Sequence, residues 1–292
     1  MSAQAADAVI EWYSHNRRDL PWRKSGTTAW GVIVCEVMAQ QTPVTRVAPQ
    51  WVAWMQRWPT PAELAAATPA EVLVAWDRLG YPRRALRLRE CAIALTNDHD
   101  GHVPADYTSL IALPGIGDYT ASAVLAFAFG KRALVMDTNV RRVAARAFGG
   151  VAHHRPHVTS AERRALDEVT PSGANAATFS QAMMELGAIV CRPEPACGSC
   201  PLEQVCQWRA NSHPPAEHRA RRPQAFAGTD RQVRGLIMNL LRGAQPAAVP
   251  HAAIEGAWHD SSQIQRALAS LLADGLAEKT EGGSFSLPAS ST

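Results

Sequence analysis

The sequence lacks the features of a membrane or secreted protein. No apolar run approaches the ~18–20 residues that a membrane span requires, and the N-terminus has neither the charged start nor the unbroken apolar stretch of a secretory signal. A strong charge imbalance is also absent. The formal net charge is +3, which permits a nucleic-acid partner without requiring one. We therefore expect a cytoplasmic protein with no membrane-bound segment.

Regular β periodicity is missing from the first two-thirds of the chain. Apolar residues there recur three and four positions apart, which is typical of short helices, so residues 1–208 are predicted to form an all-α domain. The polar, basic, proline-containing stretch 209–226 is interpreted as a linker. Residues 227–292 combine three helical segments with a hairpin turning at Gly282-Gly283. They are predicted to form a small winged-helix-like C-terminal domain. Two roles are open for it: it binds DNA or a protein, or it only packs as a cap on the main domain.

A glycine-rich segment, LPGIGDYTASAV at 113–124, lies between two predicted helices. Gly115 and Gly117 let the backbone turn tightly with its N–H groups outward at the start of the next helix, where a partial positive charge favours an anion. Such a turn binds a DNA phosphate without reading sequence. An ordinary glycine-rich turn would look similar, but the Leu-Pro before it and the Thr-Ala after it favour a DNA-binding hairpin that includes Leu113, Gly115 and Gly117.

Two carboxyl side chains are candidates for catalysis. Asp137 begins a predicted helix about 20 residues after the hairpin, and we expect the returning chain to bring it near DNA. An Asp at that position is most often an N-cap, but beside DNA it would meet positive charge developing in a reaction. Glu36 lies at the edge of an apolar helix face that includes Trp30 and Ile33. Partial burial there raises a carboxyl pKa and suits a general acid, whereas a solvated surface Glu is the alternative.

Three polar residues follow Glu36 at the end of the same predicted helix. Gln40, Gln41 and Thr42 offer amide and hydroxyl groups suited to base edges. They also suit the gap that an extruded base leaves in the stack. We therefore expect all three at the DNA interface.

Four of the six cysteines lie within 16 residues, as Cys191-x5-Cys197-x2-Cys200-x5-Cys206. Cysteines in a reducing compartment are not expected to form disulfides, and tight sets of four bind zinc or a [4Fe–4S] cluster. Structural zinc sites prefer two close pairs, whereas only the central pair is close here, so the spacing favours the cluster. The other two cysteines lie in apolar helices and are interpreted as core residues.

These features, in this order, resemble the adenine DNA glycosylase (MutY) family of the helix-hairpin-helix, or endonuclease III, superfamily over about residues 7–210. The resemblance rests on LPW at 20–22, EVMAQQT at 36–42, LGY at 79–81, LPGIGDYTA at 113–121, MDTNVRRV at 136–143, MELGAIVC at 184–191 and the four cysteines. It implies a two-lobed, all-α fold with a DNA cleft and a [4Fe–4S] cluster loop at 191–206. It also implies a monomeric, nucleoid-associated repair enzyme that binds double-stranded DNA with a mispaired or lesion-opposed base.

The resemblance assigns roles to single residues. In the family, adenine opposite 8-oxoguanine or guanine is flipped out of the duplex. The carboxyl matching Glu36 protonates the purine, and the carboxylate matching Asp137 stabilises the oxocarbenium-like sugar. Tyr119 stands where bifunctional relatives carry the lysine that forms a Schiff base, so little or no strand cleavage is expected. Asn139 matches a residue that helps to hold the catalytic geometry.

Base recognition is the part where the chain departs most from the family pattern. Arg23 and Trp30 are candidates for the pocket of the excised base. Pro82 follows the LGY motif where the family commonly has a second Tyr, and the first cysteine spacing is five residues where the family usually has six. The C-terminal residues are too few for the MutT-like domain that reads 8-oxoguanine in the family.

Two other functions stay open. A thymine or uracil mismatch glycosylase uses the same scaffold, although Glu36 favours a purine because protonation of the leaving base requires an acid. A lyase of the endonuclease III type is disfavoured by Tyr119. A redox-sensing iron–sulfur DNA-binding regulator is a different class, and it would not need both Glu36 and Asp137.

Overall fold

The computed structural model describes residues 2–216 and 226–289, and residues 217–225 of the predicted linker lie outside the described residues. The α-helices of the described residues are α1 Ser2–Asn16, α2 Ala29–Ala39, α3 Val44–Arg57, α4 Pro61–Ala66, α5 Pro69–Trp76, α6 Arg83–Asp98, α7 Tyr107–Ala112, α8 Asp118–Phe127, α9 Thr138–Ala147, α10 Ser160–Val169, α11 Asn175–Ile189, α12 Gln207–Ala210, α13 Asp230–Ala244, α14 His251–Glu255 and α15 Ser261–Ala273. The strands are β1 Glu278–Lys279 and β2 Phe285–Ser286, and short 3-10 helices span Pro21–Arg23, Asp77–Leu79 and Cys197–Ser199. The predicted all-α class is confirmed. None of the helices described is both long and apolar enough to cross a bilayer.

Local sequence explains where several helices begin. Thr68 precedes α5 and accepts a hydrogen bond from the Glu71 backbone N–H, while the Glu71 carboxylate accepts from Thr68 in return. Thr159 and Glu162 form the same capping box at α10. Each box satisfies backbone donors that the first helical turn leaves unpaired. These helix starts are therefore set by residues three positions apart.

The chain forms two compact units, and the first contains the described residues of 1–36, 103–112 and 116–220. Its core lies where α1 and α9 pack against α11. Val9, Val140, Phe179 and Met183 are buried there. The burial of large apolar side chains along three helices is the main stabilising contribution to this unit.

The second unit contains the described residues of 37–102, 113–115 and 221–292. Helix α6 packs against α4 and α5, and α13 packs against α15. Trp54 makes edge-to-face ring contacts with Trp58 at 4.9 Å and with Trp76 at 5.5 Å. Such aromatic pairs add to the stabilisation that burial provides.

The C-terminal elements have the predicted order of three helices and a hairpin. Strand β1 pairs antiparallel with β2, with Glu278 opposite Ser286, and Gly283 adopts a φ of +78° in the turn. The Arg242 Nε of α13 donates to the Leu73 carbonyl at 3.0 Å. The C-terminal residues therefore pack into one compact unit with residues 37–102, whereas the sequence suggested a domain bounded at 227.

Candidate active site

Glu36 is a buried acid on an apolar helix. Its neighbours on α2 are almost all apolar, and only 7% of its surface is exposed. The Tyr119 hydroxyl donates to Glu36 Oε2 at 2.6 Å. Burial raises the pKa of Glu36 from its usual 4.5 to about 7, and this rise outweighs the lowering by the Tyr119 hydrogen bond. The side chain can therefore carry a proton near neutral pH, as a general acid must.

Tyr119 lies in the first turn of α8, directly after the hairpin. Burial, together with the negative charge of Glu36, raises the pKa of its phenol well above 10. The phenol therefore stays neutral and donates its hydrogen to Glu36. Its hydroxyl is no substitute for an amine, because it cannot form a Schiff base.

Asp137 is held by hydrogen bonds at the start of α9. Its Oδ1 accepts from the Val140 backbone N–H at 2.6 Å, and its Oδ2 accepts from Asn139 Nδ2 at 3.0 Å. Burial raises the pKa of Asp137, although these hydrogen bonds oppose the rise. The charge of Asp137 in turn raises the pKa of Glu36. The two carboxyl groups therefore lie within electrostatic reach of each other, which favours one protonated and one ionised group.

Asn139 connects Asp137 to the segment that leads into the cysteines. The Arg142 guanidinium donates to Asn139 Oδ1 at 2.7 Å and to the Gly187 carbonyl at 2.6 Å. Its Nε donates to the Cys191 carbonyl at 2.7 Å. Hydrogen bonds thus run from the Asp137 carboxylate through two side chains to the backbone of Cys191.

Gly187 permits the close approach of α11 to the start of α9. A Cβ at this position would lie 2.6 Å from Asn139 Cβ and 2.8 Å from the Asn139 carbonyl oxygen. Gly187→Ala is therefore expected to displace Asn139, slow any reaction that depends on Asp137 and lower the free energy of unfolding by about 1–3 kcal/mol. Single-turnover kinetics and thermal melting measure both effects.

The matched control is Gly235→Ala in α13, where an added Cβ meets no atom within 4 Å. That change should leave the reaction unchanged and stabilise the helix slightly. Equal behaviour of the two variants would contradict the close-packing argument.

A buried ion-pair network lies in the first unit, and the sequence did not predict it. Glu185 has none of its surface exposed. Its carboxylate accepts from Arg18 Nε at 2.7 Å and Nη2 at 2.9 Å, and from Arg23 Nη2 at 2.8 Å. Burial alone would raise the pKa of Glu185, but these hydrogen bonds hold it at about 2. Arg23 also lowers the pKa of Glu36, so the network lies within electrostatic reach of the acid.

The two predicted base-pocket residues have different surroundings. The Arg23 guanidinium is engaged by Glu185 and by the Arg18 carbonyl, and it lies 5.4 Å from the centre of the Tyr13 ring. Trp30 is buried, with 3% of its surface exposed. Neither side chain is freely exposed. A base could therefore contact Arg23 or Trp30 only in the packed positions that they already occupy.

The four predicted cysteine ligands line one small pocket. Cys191, Cys197, Cys200 and Cys206 share it with Arg146. Arg146 Nη1 lies 3.6 Å from Cys191 Sγ. Among the residues described, no three Cys, His, Asp or Glu side chains are close enough to share one metal ion. Four thiols that line one pocket are a donor set suited to an iron–sulfur cluster or a zinc ion.

The predicted DNA-binding residues fall around two turns. Gly115, with a φ of +77°, and Gly117 are exposed in the hairpin, whereas Leu113 is buried. A Cβ at Gly115 would lie 3.0 Å from Arg87 Cβ, and the left-handed backbone there favours glycine. The hairpin therefore exposes backbone at its glycines while its leucine packs inward.

The turn after α2 is held by an arginine that the sequence did not single out. Gln41 is exposed and has a φ of +55°, while Thr42 is buried. The Arg84 guanidinium donates to the Gln40 carbonyl at 2.6 Å and to Thr42 Oγ1 at 3.2 Å, and also to the Gly80 carbonyl at 3.0 Å. Arg84 thus connects this turn to the one that precedes Tyr81.

The chain is similar in sequence to DNA repair enzymes. The family described as HhH-GPD superfamily base excision DNA repair protein matches residues 34–168. The adenine DNA glycosylase of Mycolicibacterium smegmatis is 51% identical over 284 residues, covering 96% of this chain and 94% of that protein. The adenine DNA glycosylase of Mycobacterium tuberculosis is 48% identical over 282 residues, covering 96% and 92%. The human adenine DNA glycosylase is 39% identical over 211 residues, covering 69% and 39%.

Solved structures share the fold over about 70% of the chain. A thermostable thymine-DNA glycosylase superposes with a TM-score of 0.66 at 26% identity, covering 70% of this chain and 95% of that one. Endonuclease III in a non-covalent DNA complex superposes with a TM-score of 0.60 at 23% identity, covering 71% and 94%. The second likeness supports the fold alone.

Proposed function

The chain belongs to the adenine DNA glycosylases of the HhH-GPD superfamily of base excision repair proteins, and on this premise we propose that it removes adenine mispaired with 8-oxoguanine or guanine. It is a DNA N-glycosylase. The observation that carries the proposal is the 2.6 Å hydrogen bond from Tyr119 to a buried Glu36 whose pKa is about 7. An acid of this kind suits a leaving purine, which departs more readily once protonated.

In the proposed mechanism, Glu36 donates its proton to the flipped adenine. Because the Tyr119 hydroxyl donates to Oε2, the transferable proton is expected on Oε1. When the carboxylate forms, the Tyr119 hydrogen bond stabilises it. Asp137, ionised and fixed by Val140 and Asn139, stabilises the positive charge that develops on the sugar. Water then completes the hydrolysis.

The same geometry favours a monofunctional enzyme. Tyr119 offers a hydroxyl where a lyase needs an amine, so no covalent Schiff base forms through this residue. We therefore propose that the product is an intact strand with an abasic site. We also propose that the enzyme acts as a monomer on duplex DNA in the nucleoid, with Gly115 and Gly117 contacting phosphate and Gln40, Gln41 and Thr42 near the displaced base.

We propose further that Cys191, Cys197, Cys200 and Cys206 hold a [4Fe–4S] cluster. The support is the shared pocket of four thiols, with the Arg146 guanidinium beside it. When bound, the cluster would cross-link the loop through four iron–thiolate bonds. The backbone of the first ligand is also where the hydrogen bonds from Asp137 through Asn139 and Arg142 end.

The cluster proposal predicts a coloured protein. Purified protein should be yellow-brown, with an absorption band at about 400 nm from thiolate-to-iron charge transfer. Cys200→Ser should lose that band, whereas the control Cys91→Ala, at a buried cysteine outside the pocket, should keep it. A colourless, zinc-loaded and active wild-type protein would contradict the proposal.

The substrate proposal is tested by the identity of the released base. Duplexes carrying A:8-oxoG, A:G, T:G and U:G are incubated with excess enzyme, and free bases are separated by chromatography. We expect adenine from the first two and no pyrimidine from the others. Release of thymine or uracil alone would instead favour the mismatch glycosylase, whose scaffold the thymine-DNA glycosylase structure shares. Binding without release of any base would favour the regulator.

A further inference from the structure

The chain folds back on the cysteine loop directly after helix α12. Ser212 and His213, at the start of the predicted linker, have left-handed φ values of +60° and +56°. This conformation costs energy for residues with a Cβ, so other contacts must stabilise it. The His213 backbone N–H donates to the Trp208 carbonyl at 2.9 Å, and the Trp208 indole N–H donates to the Pro214 carbonyl at 2.9 Å. These two hydrogen bonds hold the turn against the Trp208 side chain.

The ring of Trp208 contacts two side chains that each reach a cysteine sulfur. The Arg146 guanidinium lies 4.6 Å from the centre of the ring, and its Nη1 lies 3.6 Å from Cys191 Sγ. The His213 ring makes an edge-to-face contact with Trp208 at 4.5 Å, and its Nε2 lies 3.8 Å from Cys197 Sγ. Trp208 also lines the pocket of the four thiols. The ring of Trp208 therefore positions a nitrogen donor at each of two proposed ligands.

The direction of the hydrogen bond between His213 and Cys197 follows from the chemistry of the ligand. A thiolate that binds iron carries no hydrogen, so its sulfur can only accept. The imidazole must then be the donor, with its hydrogen on Nε2. Cys206 differs, because its Sγ lies 3.7 Å from a carbonyl oxygen, that of Arg146, which cannot donate. The donors therefore act on particular ligands rather than on the whole set.

Hydrogen bonds to the sulfurs are among the factors that set the reduction potential of an iron–sulfur cluster. A donor withdraws negative charge from the thiolate, so it stabilises the state of the cluster that holds one more electron. Of the two donors, Arg146 is buried and also donates to the carbonyls of Ala152 and Arg192, so its removal would disturb the fold. His213 is exposed. Its side chain can therefore be changed without opening a core.

We propose that His213 raises the reduction potential of the [4Fe–4S] cluster by donating a hydrogen bond from Nε2 to the thiolate of Cys197. Trp208 and the left-handed turn position the imidazole for this bond. The assignment rests on the proposed cluster, and it gives the first residues of the predicted linker a role at the cofactor.

Voltammetry of the purified holoprotein on an electrode tests the assignment. His213→Phe keeps an aromatic ring against Trp208 but has no N–H to donate. We expect the redox equilibrium of this variant to shift about three- to ten-fold towards the oxidised state, which is about 30–60 mV more negative for a one-electron couple. His213→Gln retains an N–H donor, so its potential should lie close to that of the wild type.

The matched control is His251→Phe. This histidine also packs its ring on an aromatic side chain, Phe285, at 5.6 Å, and it lies in the second unit, which contains none of the four proposed ligands. The change should leave the potential of the cluster where it is in the wild type.

Resonance Raman spectra give a second readout that needs no electron transfer, because the iron–thiolate stretching bands respond to hydrogen bonds at sulfur. These bands should shift in His213→Phe and coincide with those of the wild type in His213→Gln. Both variants should keep the absorption band at about 400 nm, since neither removes a ligand.

The outcomes distinguish this assignment from the cluster proposal on which it rests. Wild-type potential and wild-type stretching bands in His213→Phe would overturn the role of His213. An equal shift in His213→Phe and His213→Gln would also overturn it, because the packing of the imidazole and not its N–H would then set the potential. A colourless wild type would instead overturn the cluster proposal itself.

Discussion

Asp137→Asn is expected to abolish base release, with the single-turnover rate falling at least about 10²- to 10³-fold, because it removes the charge that stabilises the developing oxocarbenium ion. Asparagine keeps the size of the side chain and can still cap α9 by accepting from Val140. Duplex binding should therefore be nearly intact. Rapid-quench kinetics and a gel-shift titration with the same labelled duplex measure the two quantities.

Asp260→Asn supplies the control, since Asp260 caps α15 in the same way by accepting from the Gln263 backbone N–H. This variant should release adenine at the wild-type rate. Full activity of Asp137→Asn would remove the basis of the proposed mechanism.

Glu36→Gln should lower the rate about 10²- to 10⁴-fold, the range that general acid catalysis contributes. Glutamine has a similar shape but no proton to donate. In the wild type, the rate should fall as pH rises through about 7, because the pKa of Glu36 is raised to that value by burial. The rate of the variant should be low and should no longer fall as pH rises through about 7. Single-turnover pH profiles of both proteins provide the measurement.

The raised pKa also predicts a stability signature. Between pH 4.5 and about 7 the folded protein binds the Glu36 proton more tightly than the unfolded chain does, so its stability falls as pH rises through this window. Glutamine has no such dependence. The melting temperature of Glu36→Gln should therefore lie above that of the wild type at pH 8 and close to it at pH 4. The control Glu90→Gln, at an exposed ion pair, should not melt above the wild type at pH 8. If Glu36→Gln and the wild type had the same melting curve at pH 8, this would contradict the claim that ionised Glu36 destabilises the folded protein.

The helices were predictable because their signals are local. Apolar residues three and four positions apart predict short helices in the first two-thirds of the chain, and the structure has helices there, among them Pro61–Ala66 and Asp118–Phe127. The hairpin of the C-terminal elements was likewise indicated by two adjacent glycines. Spacing of three or four residues fixes a helix face, and capping residues fix its ends.

The contacts that shape the sites could not be read in this way. Arg18 and Glu185 are 167 positions apart in sequence, and Arg83 and Asp274 are 191 apart. No periodicity relates such residues, because tertiary packing alone brings them together. The sequence does not distinguish Arg84 from the other arginines of α6, although its guanidinium donates hydrogen bonds to two turns.

The most direct test of the account is single-turnover treatment of an end-labelled A:8-oxoG duplex by the wild type, Asp137→Asn and Glu36→Gln, with half of each sample heated in alkali. Alkali breaks the strand at abasic sites, so the two halves separate base release from strand cleavage. The account predicts wild-type breaks at the adenine only after alkali, and almost none with either variant. Breaks without alkali, or breaks made by either variant as fast as by the wild type, would contradict it.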